Sequence, residues 1–234
     1  MKSVCWAIVF FLLSSCARFQ PAGLPELSYS KPADTRLSRS VQQSCESTFF
    51  KGYYQFVHSI VFQMAQGHGA TVIGVTVLDG DTLKTGLMGV EGFVLFEAVL
   101  SGDKQFEVSR ALPPFDRPEF ASGLMRDVQI IFHAPSDKNP CIGNLADGAS
   151  VCRYVEDKDQ IIDVILHDDG SRSIKSYDAS HSLGRSIAIG PRIAVNGEMI
   201  PETLKLIAHG SQGYTLQMTL ISSEKIDKQT DNEI

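Results

Sequence analysis

The stretch Ala208-His209-Gly210-Ser211-Gln212-Gly213 sets an imidazole two residues from a hydroxyl, the ingredients of acyl transfer by a serine nucleophile and a histidine base. Such chemistry also needs a nucleophile elbow, a strand-to-helix turn that holds the serine exposed. No helical pattern follows residue 213, so the stretch reads as a turn between strands. His167-Asp168-Asp169 carries metal-binding and proton-exchanging groups, but Gly170 follows it, and Asp with Gly at that point serves a hairpin turn. His58 falls on the apolar face of a strand and reads as a core histidine. His68 lies between two glycines and His181 beside Ser180, and neither has a second ligand at metal spacing. Asp157 and Asp159 belong to a solvated, charged turn. The P-loop and the dinucleotide fingerprint are absent. No catalytic residue, metal or cofactor is assigned, and an envelope hydrolase is only a third reading.

A chemical fate can be assigned to one residue near the start. Lys2, an apolar run over residues 4–13 and small residues after it make a secretory signal peptide. The run is too short to span a bilayer, which takes about 20 apolar residues. Leu13-Ser14-Ser15-Cys16 resembles the bacterial lipobox, which implies cleavage after Ser15, a diacylglyceryl group on the Cys16 thiol and a third acyl chain on its new amino group. Each buried CH₂ contributes about 0.8 kcal/mol, so three chains hold a protein at its membrane essentially permanently. Ser15-Cys16-Ala17 also fits an ordinary site cut after Ala17. By resemblance to enterobacterial sorting, Ala17 in place of Asp favours the outer membrane, facing the periplasm.

Cys5 leaves with the signal peptide, and Cys45, Cys141 and Cys152 remain for an oxidising compartment. Cys141 and Cys152 flank a Gly/Asn/Asp-rich segment and form the natural disulfide pair, which would contribute about 3 kcal/mol on the chain-entropy model. Two small buried residues are the alternative. With no CxxC or HxxxH partner nearby, a zinc site is not expected. The net charge of −6 comes with no basic stripe, which argues against a nucleic-acid partner.

The elements that position these residues follow from periodicity. Removing 15 of the 234 residues leaves 219, enough for one sizeable core. Residues 16–40, with Pro21, Pro25 and Pro32, read as a flexible tether, and a short helix is expected from near Leu37 towards Cys45. Residues 41–223 form one domain and 224–234 a polar tail. Tyr54, Phe56, His58, Ile60, Phe62 and Met64 alternate with Gln55, Val57, Ser59, Val61 and Gln63, a half-buried strand. Strands at 70–78, 82–89, 92–100 and 104–110, joined by tight turns, make an antiparallel meander. In residues 92–100, Phe93, Leu95 and Val99 face one way and Val94, Phe96, Ala98 and Leu100 the other. Such a strand is either covered on both sides or lines an apolar cavity. Asp116-Arg117-Pro118-Glu119 looks like a capped helix start, and Phe120, Leu124, Val128 and Ile131 continue at helical spacing to Phe132. Further strands are expected at 151–155, 160–167, 171–178, 192–195, 202–208 and 214–222, with Asn196-Gly197 as a hairpin turn.

Two stretches between residues 52 and 222 carry a family resemblance. One is Gly89-Val90-Glu91-Gly92-Phe93-Val94-Leu95-Phe96-Glu97. The other is Ile200-Pro201 with Leu204-Lys205-Leu206 and Tyr214-Thr215-Leu216. They resemble a proteobacterial lipoprotein family related to the LolA/LolB lipoprotein-carrier superfamily. That resemblance implies an α+β fold, a strongly curved antiparallel sheet forming an unclosed barrel, with helices on its concave side and acyl chains bound there without catalysis. The cysteine-flanked segment departs from that pattern, and no stretch is singled out as the exposed apolar loop a LolB-like receptor uses for membrane insertion. About ten strands and the 118–132 helix are expected. Candidate ligand-lining residues are Phe56, Ile60, Phe62, Phe93, Leu95, Leu124, Val128, Leu216 and Met218. The expected ligands are lipids, acyl chains or lipidated proteins. The alternative function is a structural or assembly lipoprotein that docks a protein partner and has a packed interior.

Overall fold

The computed structural model describes residues 23–28, 35–102, 106–156, 159–210 and 213–226. The signal segment, cleavage at Ser15 and lipidation of Cys16 lie outside the described residues, and so does Ser211.

The first named element among the described residues is α1 (Thr35–Glu46), followed by the expected meander: β1 (Tyr53–Met64), β2 (Gly69–Asp79), β3 (Thr82–Gly89), β4 (Val94–Leu100) and β5 (Phe106–Ala111). The period of two is realised physically in β1, where Tyr54, Phe56, His58 and Ile60 are buried and the residues between them are less so. After β5 comes α2 (Pro118–Phe132). Next are β6 (Cys141–Asn144), β7 (Ser150–Val155), β8 (Ile161–Leu166), β9 (Arg172–Tyr177) and β10 (Leu183–Ile189). β11 (Arg192–Val195) and β12 (Glu198–Pro201) form a separate hairpin, and β13 (Thr203–Ala208) and β14 (Tyr214–Lys225) finish the fold. Asn196 and Gly197 turn the β11–β12 hairpin with φ of 51° and 83°, the left-handed pair that a two-residue turn of this kind requires.

The large sheet has twelve strands in the order β5-β4-β3-β2-β1-β14-β13-β10-β9-β8-β7-β6, and its pairings are antiparallel. β1 and β14 join the two halves, with Ile60 opposite Met218 and Phe62 opposite Leu216. The edge strands β5 and β6 do not pair with each other, so the barrel is unclosed. β6, β10 and β12 are additional to the expected strands. Gly143 and Asn144 in β6 and Gly184 and Ser186 in β10 read as loop, and β12 is only four residues ending on Pro201, yet neighbouring strands supply the ladder and bury Ile187, Ile189 and Ile200.

Most of the concave side is filled by side chains. Phe56 stacks on Phe132 of α2 at 5.4 Å between ring centroids and lies 4.5 Å from the Phe50 ring. Phe96, Leu83, Leu206 and Ile174 complete the same core. α1 packs over β6, β7 and β8. The β11–β12 hairpin is held to the segment after α1 by Arg192, whose guanidinium donates to the Ser47 carbonyl at 2.8 Å.

The disulfide expectation is corrected. Cys152 bonds Cys45 of α1, with Cα atoms 6.4 Å apart, and Cys141 is a free, exposed thiol. Register explains the change. Cys152 stands opposite Ile142 and Cys141 opposite Arg153, so Cys141 and Cys152 lie on opposite faces of the sheet. The concave face of Cys152 is the one α1 covers.

The expected tether over residues 16–40 is also corrected for its described part. Residues 23–28 form a strap along the sheet, bridging Gly23 to Ser182 and Ser28 to Asn144. Leu27 packs with Ala149, Val151 and Ile165, and Leu24 packs on Ile161, Tyr177 and Leu183. Beneath the strap Arg153 donates from Nε and Nη2 to the fully buried Asp163 carboxylate, both at 2.7 Å, and from Nη2 to the Pro25 carbonyl at 3.0 Å. Gly143 lets the strap come this close, since a Cβ there would sit 3.0 Å from the Ser28 carbonyl oxygen and 3.1 Å from Leu27 Cβ.

Candidate ligand cavity

The filled concavity opens at one end of the sheet. Antiparallel register brings together there the β1–β2 turn, the β3–β4 turn, the segment 112–117 that leads into α2, and the start of β14. Between sheet and α2 lies a cavity of about 430 Å³. Ile60, Phe62 and Met64 of β1 form its floor with Val72, Leu87, Leu95 and Leu216. Phe115, Phe120 and Leu124 form its roof, and His68, Arg117 and Tyr214 also line it. Phe120 meets Phe62 and Phe115 edge-on, at 6.3 and 5.3 Å. The size and the largely apolar lining match small-molecule sites in general.

Five expected lining residues meet here: Ile60, Phe62, Leu95, Leu124 and Leu216. Leu95 reaches the cavity through a bulge. Leu87 stands opposite Phe96 and Met88 opposite Val94, which leaves Leu95 as the extra residue, so it faces the cavity while Phe96 stays in the core. Phe56, Val128 and Met218 belong to the packed core instead and are corrected as lining residues. Phe93 is corrected as well: it lies in the β3–β4 turn, 71% exposed, and β4 begins one residue later. Arg117, not Asp116, is the N-cap of α2, and its side chain makes no cap bond. Sequence reasoning missed His68, Phe115 and Arg117, which come from turns and linkers whose place in space no periodicity reveals.

α2 is pinned over the cavity by a buried polar cluster. Asp127 is fully buried, accepts a hydrogen bond from Arg185 Nε at 2.6 Å, and also accepts one from the Tyr214 hydroxyl. The Arg185 guanidinium lies 5.7 Å from the centre of the Tyr214 ring. Burial pushes the Asp127 carboxyl above its usual range, against the opposing pull of Arg185 and Tyr214. Burial, then the Asp127 charge, pushes the Tyr214 hydroxyl up.

Three other histidines, His209, His167 and His58, take structural places. His209 shares a 2.7 Å hydrogen bond with Ser186, and no carboxylate bonds its ring among the described residues. His167 pairs with Ser173 at 2.9 Å, and its backbone carbonyl accepts from Gly170 N–H in the expected turn. His58 packs in the core between Phe56 and Phe132, with Nδ1 unpartnered, and burial lowers its pKa to about 4. A neutral ring in the fold has a definite pH signature. Between pH 6.5 and about 4 the unfolded chain binds a proton at this ring that the folded chain refuses, so stability falls with falling pH across that window. The loss amounts to about 3 kcal/mol. Denaturant melts from pH 7.5 to 4 are expected to show that extra slope in the native chain relative to His58→Phe. Parallel curves would contradict it.

No family model matches the sequence, and no curated protein is significantly similar to it. Among solved structures the fold is similar to that of a LolA superfamily protein from Nitrosomonas europaea, with a TM-score of 0.53 at 11% identity, covering 81% of this chain and 93% of that one. A domain from Vibrio parahaemolyticus provisionally assigned to outer membrane lipoprotein sorting is similar at a TM-score of 0.46 and 11% identity, covering 83% and 93% of the two chains. A DUF1329 family protein from Desulfovibrio piger is similar at 0.46 and 10% identity, covering 84% and 95%. The chain therefore has the LolA-like fold: a curved, unclosed antiparallel sheet with helices on its concave side.

Proposed function

We propose that this chain is a membrane-tethered envelope lipoprotein that holds an acyl chain, from a lipid or a lipidated protein, in the end cavity and performs no chemical step. The observation that carries this reading is the apolar cavity of about 430 Å³ at the open end of an otherwise filled LolA-like concavity. Transfer of apolar surface from water, about 25 cal/mol per Å², supplies the affinity. A space of several hundred Å³ between sheet and α2 supports a holder over the alternative of a docking protein with a dry, packed interior.

The strap gives this reading a geometry. Gly23 is held beside Ser182 at the β9–β10 turn, which lies at the same end of the sheet as the cavity. From Cys16 to Gly23 is seven residues, a reach of about 25 Å at full extension. An anchor at Cys16 then keeps the cavity end near the bilayer. Val90, Phe93 and Leu112 are exposed at that same end, at 65%, 71% and 45%, and serve in this reading as the apolar contact with the membrane surface. The Cys45–Cys152 disulfide supports an oxidising envelope compartment.

The cavity is tested by filling it. Leu124→Trp places an indole in the roof, whereas Ser122→Trp places one on the solvent face of α2. Titration with a fluorescent fatty acid is expected to show at least about tenfold weaker binding for Leu124→Trp, which is about 1.4 kcal/mol, and native binding for Ser122→Trp. Equal binding by both variants would place the ligand elsewhere.

A further inference from the structure

Charge in the cavity is one-sided. Among the described residues Arg117 is the charged side chain that lines it, His68 adds an imidazole, and no carboxylate does, in a chain whose net charge is −6. The arginines nearest the interior are all engaged: Arg153 with Asp163, Arg185 with Asp127, Arg172 with Ser47 and Thr48, and Arg192 with the Ser47 carbonyl. The Arg117 side chain is exposed and makes no hydrogen bond or ion pair with any described residue. It also occupies the N-cap of α2, where Ser, Thr, Asp or Asn would satisfy a backbone N–H and where arginine satisfies none. Local helix chemistry does not account for an arginine at this position, but the mouth of an apolar cavity does.

We propose that the cavity selects amphiphiles with an anionic head. The apolar chain lies among Phe62, Leu95 and Phe120, and the head pairs with Arg117, assisted by His68. This inference rests on the acyl-chain reading and names the class of ligand that reading leaves open. A guanidinium presents a planar fork of N–H donors that matches carboxylate and phosphate oxygens two at a time. Arg117 is exposed, so the pair acts at the rim, where it discriminates between heads while the apolar chain supplies most of the affinity.

The experiment uses the delipidated full chain and three ligands with the same chain length: dodecanoate, dodecyl phosphate and dodecanol. Both anions are expected to bind the native protein about tenfold or more tightly than the alcohol does. Arg117→Gln is expected to bring the anions down to the alcohol's affinity and to leave dodecanol within about twofold of native. Arg117→Asp supplies the missing helix cap, so it is expected to melt no lower than native while losing the anions further. Tighter binding of dodecyl phosphate than of dodecanoate indicates a phospholipid-type head, and the reverse indicates a free fatty acid. If all three bind the native chain equally and Arg117→Gln changes nothing, the head-group inference is overturned and the cavity reading stands. If none of the three binds, both are overturned.

Discussion

Replacing Asp127 by Ala is expected to lower the stability of the fold by about 3–5 kcal/mol, the scale found when one partner of a buried ion pair is removed. Asp127 is fully buried in α2, and its two oxygens are the acceptors for Arg185 and Tyr214. Without it the Arg185 guanidinium keeps its charge in a site only 20% exposed, and the Tyr214 hydroxyl loses its acceptor. The net worth of the intact cluster is a separate quantity, because burial opposes ionisation of Asp127 even with its partners present. Replacing all three polar groups together, as Asp127→Leu, Arg185→Met and Tyr214→Phe, is therefore expected to cost far less than Asp127→Ala alone. Urea denaturation of the single and triple variants separates the two effects. A triple variant as unstable as the single one would mean that the cluster contributes net stability. The cluster also fixes α2 over the cavity, so Asp127→Ala is expected to weaken acyl binding even where most of the protein remains folded.

The second large effect belongs to the Cys45–Cys152 disulfide. It closes a loop with a sequence separation of 107, and on the chain-entropy model a loop of that size contributes about 4–5 kcal/mol by restricting the unfolded chain. Cys45→Ser and Cys152→Ser are each expected to lower the melting temperature strongly and equally, and added reductant should lower that of the native protein to the same level. Cys141→Ser is expected to melt like native, since its thiol is free and exposed. A Cys141→Ser variant that melts as low as Cys152→Ser would restore the hairpin pairing that sequence proximity suggests.

These two cases also show where sequence legibility ends. The meander, α2 and the β11–β12 turn are local: alternation in residues 54–64, the stripe from Phe120 to Ile131 and Asn196-Gly197 each report a neighbour within a few positions. The disulfide required register. Cys141 and Cys152 bracket one hairpin, yet a one-residue offset in pairing puts them on opposite faces, and the partner comes from a helix a hundred residues earlier. The strap shows the same limit, because Pro25 and its neighbours look like linker until Leu24 and Leu27 meet apolar clusters built from strands far along the chain. At the cavity, residues on regular strands and the helix stripe could be nominated from periodicity. Which of them face open space could not, because Phe56, Val128 and Met218 share that periodicity and lie where the core is full. Arg117 and His68 carry no periodic signal, and only the fold brings a helix cap and a β-turn to one mouth.

The central claim, that the end cavity holds an acyl chain, is tested most directly by native mass spectrometry of the full-length protein extracted from its own membranes. The expected result is a bound species, one per chain, that fragments to a fatty-acyl group and is lost in Leu124→Trp. A native chain that carries no acyl species beyond any covalent modification, and takes up none when incubated with lipid, would contradict the account.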